Sequence, residues 1–210
     1  MSKASYPQNY RLPAEFEPQE AIWLSWPSNK ESCPKTFHKL QDKFGEIASV
    51  ISRYERVRIN APMLAHMNIR LSIADNEGDL SQVDLYEHNT NDVWCRDHGP
   101  IFIKHNETGK VAITDWEFNA WGGKFAPWDL DNGIPEKAAK VLNMERFTSS
   151  MILEGGAIET NGKGTLLTTE AELQSPAVRD AIEDFWKQRG QPGQDGWGDA
   201  IFTVGLSYRF

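Results

Sequence analysis

The chain has 210 residues, of which 40% are hydrophobic and 25% are charged, as is usual for a globular protein with its own core. Its net charge of −8 argues against nucleic acid and anionic membrane as partners and is compatible with a cationic small-molecule substrate. The two cysteines are too few for a secreted disulfide framework, and the sequence shows neither an apolar signal core nor a membrane-length apolar run. We therefore expect a cytoplasmic protein with reduced thiols.

The first half of the chain alternates between strand and helix patterns. We predict strands over 21–27, 57–60 and 83–87, with one helix opened by Pro34 and a second, weaker helix after Pro62. The first helix has the clearest periodicity, because its apolar residues recur at spacings of three and four: Phe37, Leu40, Phe44, Ile47, Ile51 and Tyr54. The weaker helix carries Leu64, Ile69 and Ile73. This alternation indicates an α/β fold.

The second half is dominated by hairpin patterns. IFIKH and KVAITDWEF flank the turn NETG, and MILEGGAIET and TLLTTE flank NGKG, whose Asn161-Gly162 dipeptide is typical of a tight turn. Between the hairpins, NAWGGKFAPWDLDNG is predicted to be a long loop, and Pro135 begins a short helix. Beyond residue 171 we predict a helix capped by Ser175 and a final strand, IFTVGLSYRF.

Two stretches place aromatic and acidic side chains where a ligand could use them. In NDVWCRDHGP, Trp94 and Asp97 lie just ahead of an apolar strand, and in FNAWGG, Trp121 lies beside two glycines. A guanidinium group fits such surroundings, because its planar N–H donors match carboxylates and its face stacks on indole rings.

A third stretch, LEGG, places Glu154 within an otherwise apolar strand, followed by Gly155 and Gly156. A carboxylate there is costly unless it has a charged partner, and the glycines would let a ligand or another backbone approach closely. The alternative is purely structural: Asp97 pairs with Arg96 or another base, Glu154 meets an internal arginine, and the tryptophans belong to the core. Composition alone leaves both interpretations open.

Four blocks of the sequence carry a family likeness. LPAEFEPQEAIWLSWP, NDVWCRDHGPIF, DWEFNAWGGKF and LEGGAIETNGKGTLLTTE resemble, in order and spacing, the agmatine deiminase / Porphyromonas-type peptidylarginine deiminase family over about residues 10–170. The resemblance implies a pentein-type α/β propeller of pseudo-symmetric ββαβ-like blades, here incomplete. Residues 1–170 would form this region, and 171–210 a divergent tail.

The resemblance also implies an activity. The family hydrolyses a guanidinium C–N bond, converting agmatine to N-carbamoylputrescine and ammonia on the route to putrescine, or arginine and peptidyl-arginine to citrulline. No metal or organic cofactor is expected. The carboxylates of Asp97 and Glu154 would hold the guanidinium, and Trp94 would line the substrate channel. Trp121, Gly155 and Gly156 are further candidates for substrate binding.

The positions of Trp94 and Asp97 impose a geometric condition. On a regular strand, residues 94 and 97 point to opposite faces. If both side chains contact one ligand, the backbone must turn between them, so we predict that the regular strand begins only near Ile101.

One departure from the family concerns the nucleophile. The family uses a cysteine near its C-terminus and the histidine of an H-x-D motif. None of the five histidines here begins H-x-D, and the nucleophile block is absent, so we expect no turnover by this chain alone. Cys95 is a conceivable substitute, but we expect a packed thiol that faces away from the ligand.

These expectations leave several alternatives open. The chain is either part of a deiminase, a non-catalytic guanidinium-binding module or an interaction fragment without a ligand. An incomplete ring of blades would expose sheet edges, which predicts homo-oligomerisation, aggregation or a tail that fills the gap. The tail itself is either an amphipathic strand packed on the domain or a fused, frameshifted or replaced segment.

Overall fold

The computed structural model describes residue 7, residues 9–32 and residues 34–169. These residues form two compact units. The first unit holds the described residues up to Glu17, then Pro100–Asn119 and the described residues from Ala138 to 169. The second unit holds Pro18–Gly99 and Ala120–Lys137. The helix and strand predicted beyond residue 171 lie outside the described residues.

The second unit is built on a parallel sheet of three strands. Strands β2 (Ala21–Ser25), β3 (Arg56–Ala61) and β4 (Val83–Glu87) lie side by side in that order. Helix α1 (Phe37–Ser52) connects the first pair, and α2 (His66–Asp75), preceded by a short 3₁₀ turn, connects the second. The α/β alternation predicted from the sequence is therefore confirmed, although α1 begins at Phe37 and not at Pro34.

The core of this unit lies between the sheet and its two helices. Alternate residues of β3 point toward the helices, as the two-residue period of a strand requires. The buried cluster draws on all of these elements, and its members are Trp26, Ala48, Val57, Ile59, Ala61, Ile69, Ile73 and Val83.

The apolar stripe predicted for α1 is only partly buried. Phe37 is buried, and Phe44 and Ile51 pack against the core, but Ile47 is 46% exposed and Tyr54 is 86% exposed. Only part of the predicted apolar stripe therefore lies in the core.

The reason is that α1 approaches α2 with its smallest residues. The most deeply buried positions on this helix include Gly45, Ala48 and Ser49. A Cβ atom on Gly45 would lie 1.9 Å from the Ser72 hydroxyl oxygen of α2. The Ser49 hydroxyl bridges the helices by donating to the backbone oxygens of Gly45 and Ile73. Close helix packing thus displaces larger side chains from this face.

The first unit contains a ββαβ arrangement. Strands β5 (Ile101–His105) and β6 (Val111–Glu117) form the predicted antiparallel hairpin, and β7 (Arg146–Ile152) pairs with β6 in parallel. The short strand β1 (Tyr10–Arg11) extends the sheet beside β5. Helix α6 (Ile134–Leu142) precedes β7, so the helix predicted at Pro135 is confirmed.

The second predicted hairpin is shorter than its sequence pattern suggested. Strands β8 (Ile158–Thr160) and β9 (Leu166–Thr168) pair across the loop 161–165. The first apolar residues of the pattern, at 151 and 152, instead complete β7. Glu154 therefore lies after a strand and not inside one, because a 3₁₀ turn (Gly155–Ala157) interrupts the extended chain. Across residues 9–32 and 34–169, no helix is long and apolar enough to cross a membrane.

Candidate functional site

The segment that carries Trp94 and Asp97 is a turn and not a strand. It forms α3 (Cys95–His98), a helix of one turn, which begins where the amides of Asp97 and His98 donate to the Trp94 carbonyl at 2.9 and 3.1 Å. Regular strand structure starts at Ile101. The predicted turn between residues 94 and 97 and the predicted strand start are both confirmed.

The two predicted tryptophans contact each other in the second unit. The rings of Trp94 and Trp121 meet edge to face, with centroids 5.8 Å apart and an interplanar angle of 86°. Phe125 meets Trp121 in the same way at 5.7 Å. Trp94 is 51% exposed and Phe125 is 63% exposed. Such exposure is unusual for large aromatic side chains that contact one another, and it leaves ring surface available to a ligand.

A strained turn presents Trp121. Residues Ala120–Gly123 form a single turn, α4, in which Ala120 and Trp121 adopt φ angles of 51° and 58°. The amide of Lys124 closes it by donating to the Ala120 carbonyl at 3.0 Å. Left-handed geometry costs non-glycine residues about 1–2 kcal/mol each. This part of the predicted long loop therefore forms a defined turn, and strain of this kind is concentrated at functional sites.

A reciprocal pair of caps fixes the chain ahead of Trp94. The side-chain oxygen of Asn91 accepts hydrogen bonds from the amides of Leu130 and Asp131 at 2.8 and 3.2 Å, at the start of α5 (Asp129–Asn132). In return, the carboxylate of Asp131 accepts from the amides of Asn91 and Asp92 at 2.6 and 3.3 Å. The sequence prediction missed both residues, since 40 positions separate them.

Asp131 is a buried carboxylate, only 2% exposed. Burial raises its pKa to about 6, and the nearby charges of Asp92 and Asp129 act in the same direction, while the amides of Asn91 and Asp92 oppose the shift. Asp131 is therefore ionised at neutral pH at an energetic cost that its hydrogen bonds offset in part.

Cys95 opens α3, which lies against β2. Burial raises the pKa of its thiol to about 11, and the hydroxyl of Ser25, the last residue of β2, acts in the opposite direction. A Cβ atom on Gly99 would lie 2.3 Å from the Cys95 carbonyl oxygen. Only glycine therefore allows the backbone after α3 to pass this close to the Cys95 carbonyl. A thiol with a raised pKa is a poor nucleophile at neutral pH, which agrees with the expectation of a packed side chain.

Polar side chains line the carboxyl ends of the three parallel strands. The ring Nδ1 of His88 lies 3.0 Å from the side-chain oxygen of Asn60, whose amide donates to Ser25 at 3.3 Å. Burial lowers the pKa of His88 to about 4, and it does the same for His98 in α3. In open α/β sheets, ligands bind outside this edge. The turn that carries Trp94 and Asp97 lies against β2, one of these strands.

In the first unit, Glu154 lies at the equivalent edge of the parallel pair β6 and β7. Glu154 is 8% exposed and follows the end of β7, while the amide of Leu153 donates to the carbonyl of Glu117, the last residue of β6, at 3.1 Å. The amide of Ala157 donates to the Glu154 carbonyl at 3.0 Å and closes the 3₁₀ turn. Gly155 in this turn is buried.

Each unit therefore places candidate residues beyond the carboxyl ends of parallel strands. Asp97, Trp94 and Trp121 belong to the second unit, and Glu154 and Gly155 belong to the first. Gly156 also belongs to the first unit and is exposed. In the described part of the chain, no group of three histidine, cysteine or acidic side chains is arranged to hold a metal ion.

Comparison with known proteins defines the class to which this arrangement belongs. The family model for Porphyromonas-type peptidyl-arginine deiminases matches residues 11–183, which extends beyond the last of the four sequence blocks. The chain belongs to this family.

Relatives in the family are agmatine deiminases. The chain is 36% identical over 166 residues to an agmatine deiminase of Pseudomonas savastanoi pv. phaseolicola, covering 77% of this chain and 44% of that protein. It is 32% identical over 213 residues to the agmatine deiminase of Medicago truncatula, covering 89% and 55%. The chain thus spans about half the length of the curated relatives that it matches.

Solved structures agree with the sequence matches. The agmatine deiminase of Enterococcus faecalis, described as catalysing its reaction, is similar with a TM-score of 0.74 and 31% identity over 85% of this chain and 50% of that one. A C. jejuni agmatine deiminase with substrate bound gives a TM-score of 0.68 and 31% identity over 88% and 55%. The α/β pentein fold of these proteins is therefore the fold of the matched region.

Proposed function

We propose that this chain supplies guanidinium-binding residues of an agmatine or arginine deiminase. The observation that carries the proposal is the half-exposed Trp94 ring, which meets Trp121 edge to face and lies three residues before Asp97 on a one-turn helix. Family membership supports the reaction class, since the relatives named above are agmatine deiminases.

In this proposal Asp97 and Glu154 bind the guanidinium, and Trp94 and Trp121 favour its flat shape. A charge-assisted hydrogen bond contributes about 1.5–3 kcal/mol, whereas stacking of a cation on an indole contributes about 0.5–2 kcal/mol. The carboxylates therefore dominate the affinity, and the tryptophans select planar cations over compact ones such as ammonium groups.

The reaction itself requires a thiolate that attacks the guanidinium carbon. Cys95 is unsuited to this role, because burial raises the pKa of its thiol to about 11. We therefore propose that the 210-residue chain binds a guanidinium and holds it in place without hydrolysing it. An assay for ureido product from agmatine should give no turnover, and turnover that Cys95→Ala abolishes would contradict this part of the proposal.

Calorimetric titration with agmatine tests the binding proposal directly. Asp97→Asn and Glu154→Gln each keep the size of the side chain but remove its charge, so each should weaken binding by about 10-fold to 150-fold. Glu46→Gln is the matched control, because Glu46 is an exposed carboxylate that pairs with Lys43. Equal affinity for the control and for both site variants would contradict the proposal. Parallel titration with arginine compares the two substrate classes.

A second candidate is an interaction fragment without a ligand. Large apolar side chains are exposed on α1, just after it, on the 3₁₀ turn before α2 and on α2 itself. They are Ile47, Val50, Tyr54, Met63, Leu64, Met67 and Leu71. Such exposure marks protein–protein contact surfaces when the side chains are contiguous. This candidate predicts a flat agmatine titration together with self-association in size-exclusion chromatography, whereas the leading proposal requires heat of binding.

A further inference from the structure

We propose that Asn91 and Asp131 are positioning residues that hold Trp94 and Asp97 in the geometry required for guanidinium binding. The inference rests on the proposed function but concerns residues outside the predicted site. Neither side chain needs to contact the ligand, since both act through the backbone that carries the two site residues.

Helix α3 cannot hold its own position. It is one turn long and has few internal hydrogen bonds, and isolated helices of this length are not stable. Its place in the unit must therefore come from its contacts with the surrounding chain. One such connection is the reciprocal pair of caps that Asn91 and Asp131 form three residues before Trp94.

These caps join the two segments that carry the tryptophans. Asn91 lies just ahead of Trp94, and Asp131 lies in α5, a few residues after the strained turn of Trp121. Their four hydrogen bonds satisfy backbone donors on both segments. The edge-to-face contact between the two indoles therefore depends on these hydrogen bonds. A binding site needs such support, because its side chains must already be in position before the ligand arrives.

The hydrogen bonds between the two segments require an oxygen acceptor on the side chain at each of these positions. Asp131 is 2% exposed, and an alanine there leaves the part-buried amides of Asn91 and Asp92 without their acceptor. Asn at the same position keeps one accepting oxygen and removes only the charge. The pair Asp131→Ala and Asp131→Asn thus separates loss of the hydrogen bonds from loss of the charge.

The experiment combines amide hydrogen exchange with calorimetry on the full chain. Asn91→Ala and Asp131→Ala should increase exchange of the amides at 91–99 at least about tenfold and should weaken agmatine binding about tenfold. Asp131→Asn should restore most of the affinity. Asp79→Ala is the control, because it removes a similar cap, on Ser81, elsewhere in the same unit. It should lower stability without changing agmatine affinity.

Distinct results bear on the two proposals. If the wild-type chain binds agmatine and both alanine variants bind it equally well, the positioning role is contradicted. If the wild-type chain gives no heat of binding, the proposed function fails, and the inference fails with it. If an alanine variant does not fold by circular dichroism, Asn91→Ser replaces it, since a serine hydroxyl reaches at most one of the two amides and should give an intermediate loss of affinity. Wild-type affinity in Asn91→Ser, with unchanged exchange at 91–99, would equally contradict the inference.

Discussion

The chemistry expected at Asp97 and Trp94 already occurs inside this protein, at Arg58. Its guanidinium lies 5.9 Å from the centre of the Trp23 ring and pairs with Glu20. An indole and a carboxylate thus hold a guanidinium as an internal structural contact. This example shows why residue types alone could not decide between ligand binding and structure. The exposure of Trp94 favours ligand binding, because its ring surface is not covered as that of a core residue would be.

At the residue scale, we predict that Trp94 contributes through its ring face. Trp94→Ala should weaken agmatine binding by about 2-fold to 30-fold, the range expected from cation–π stacking. Trp94→Phe should retain part of the affinity, because a benzene ring keeps a smaller negative face. Calorimetry measures both values, and Trp23→Phe serves as a control of the same substitution away from the candidate site. An unchanged affinity in Trp94→Ala would rule out the platform role.

A second prediction at this scale concerns the Cys95 thiol. With a pKa of about 11 it is almost entirely protonated at pH 7, so it should react with iodoacetamide far more slowly in the folded chain than in urea. The measurement uses a Cys33→Ser background, so that only one thiol is labelled. A folded-state rate equal to that of the unfolded chain would show that the thiol is accessible and activated.

At the element scale, the helices and strands followed from periodicity, but their contacts did not. The strands of the parallel sheet appeared where alternation and short apolar runs predicted them, because local pattern reports which face of an element is buried. The pattern could not show that α1 would pack through Gly45, since that depends on how closely α2 approaches. Similarly, nothing local revealed that Ala120 and Trp121 adopt left-handed angles, which the surrounding structure must stabilise.

The close contact between α1 and α2 gives a stability prediction. In an open helix, Gly45→Ala would stabilise the chain by up to about 1 kcal/mol through helix propensity. Here the new Cβ would lie 1.9 Å from the Ser72 hydroxyl oxygen, so we expect a net loss of about 1–3 kcal/mol. Urea denaturation measures the change. Ser72→Gly in the Gly45→Ala background should recover part of the loss, and a strictly additive double variant would contradict the proposed clash.

At the scale of the whole molecule, the sequence predicted the α/β class and the family but not the connections between distant segments. The resemblance made Asp97 and Glu154 candidate site residues because motifs are contiguous in sequence. Asn91 and Asp131 were missed because their hydrogen bonds join segments 40 positions apart. Hydrogen bonds between segments so far apart in the sequence become visible only in three dimensions.

Acid should destabilise the chain through its buried histidines. The pKa of His88 and that of His98 are both lowered to about 4, so between about pH 6.5 and 4 the unfolded chain binds protons that the folded chain does not. The free energy of unfolding therefore falls as pH decreases through this window. Asp131 opposes the trend, because its raised pKa of about 6 makes the folded state take up a proton first.

Urea denaturation between pH 7 and pH 4.5 checks the sign of each contribution. His88→Asn should flatten the acid dependence, since Asn keeps a donor for the side chain of Asn60 and cannot gain a charge. Asp131→Asn should steepen it, because the opposing proton uptake is removed. A wild-type chain that becomes more stable on acidification in this range would contradict the account of the histidines.

The most direct test of guanidinium binding is the stoichiometry of agmatine in calorimetry of the wild type, Asp97→Asn and Glu154→Gln. The account predicts one agmatine per chain and a loss of most of the affinity in either single variant, because the proposed function assigns both carboxylates to the same cation. The account would be contradicted by two independent sites, if each variant removed one site and left the other with its full affinity. A titration without heat would also contradict the account.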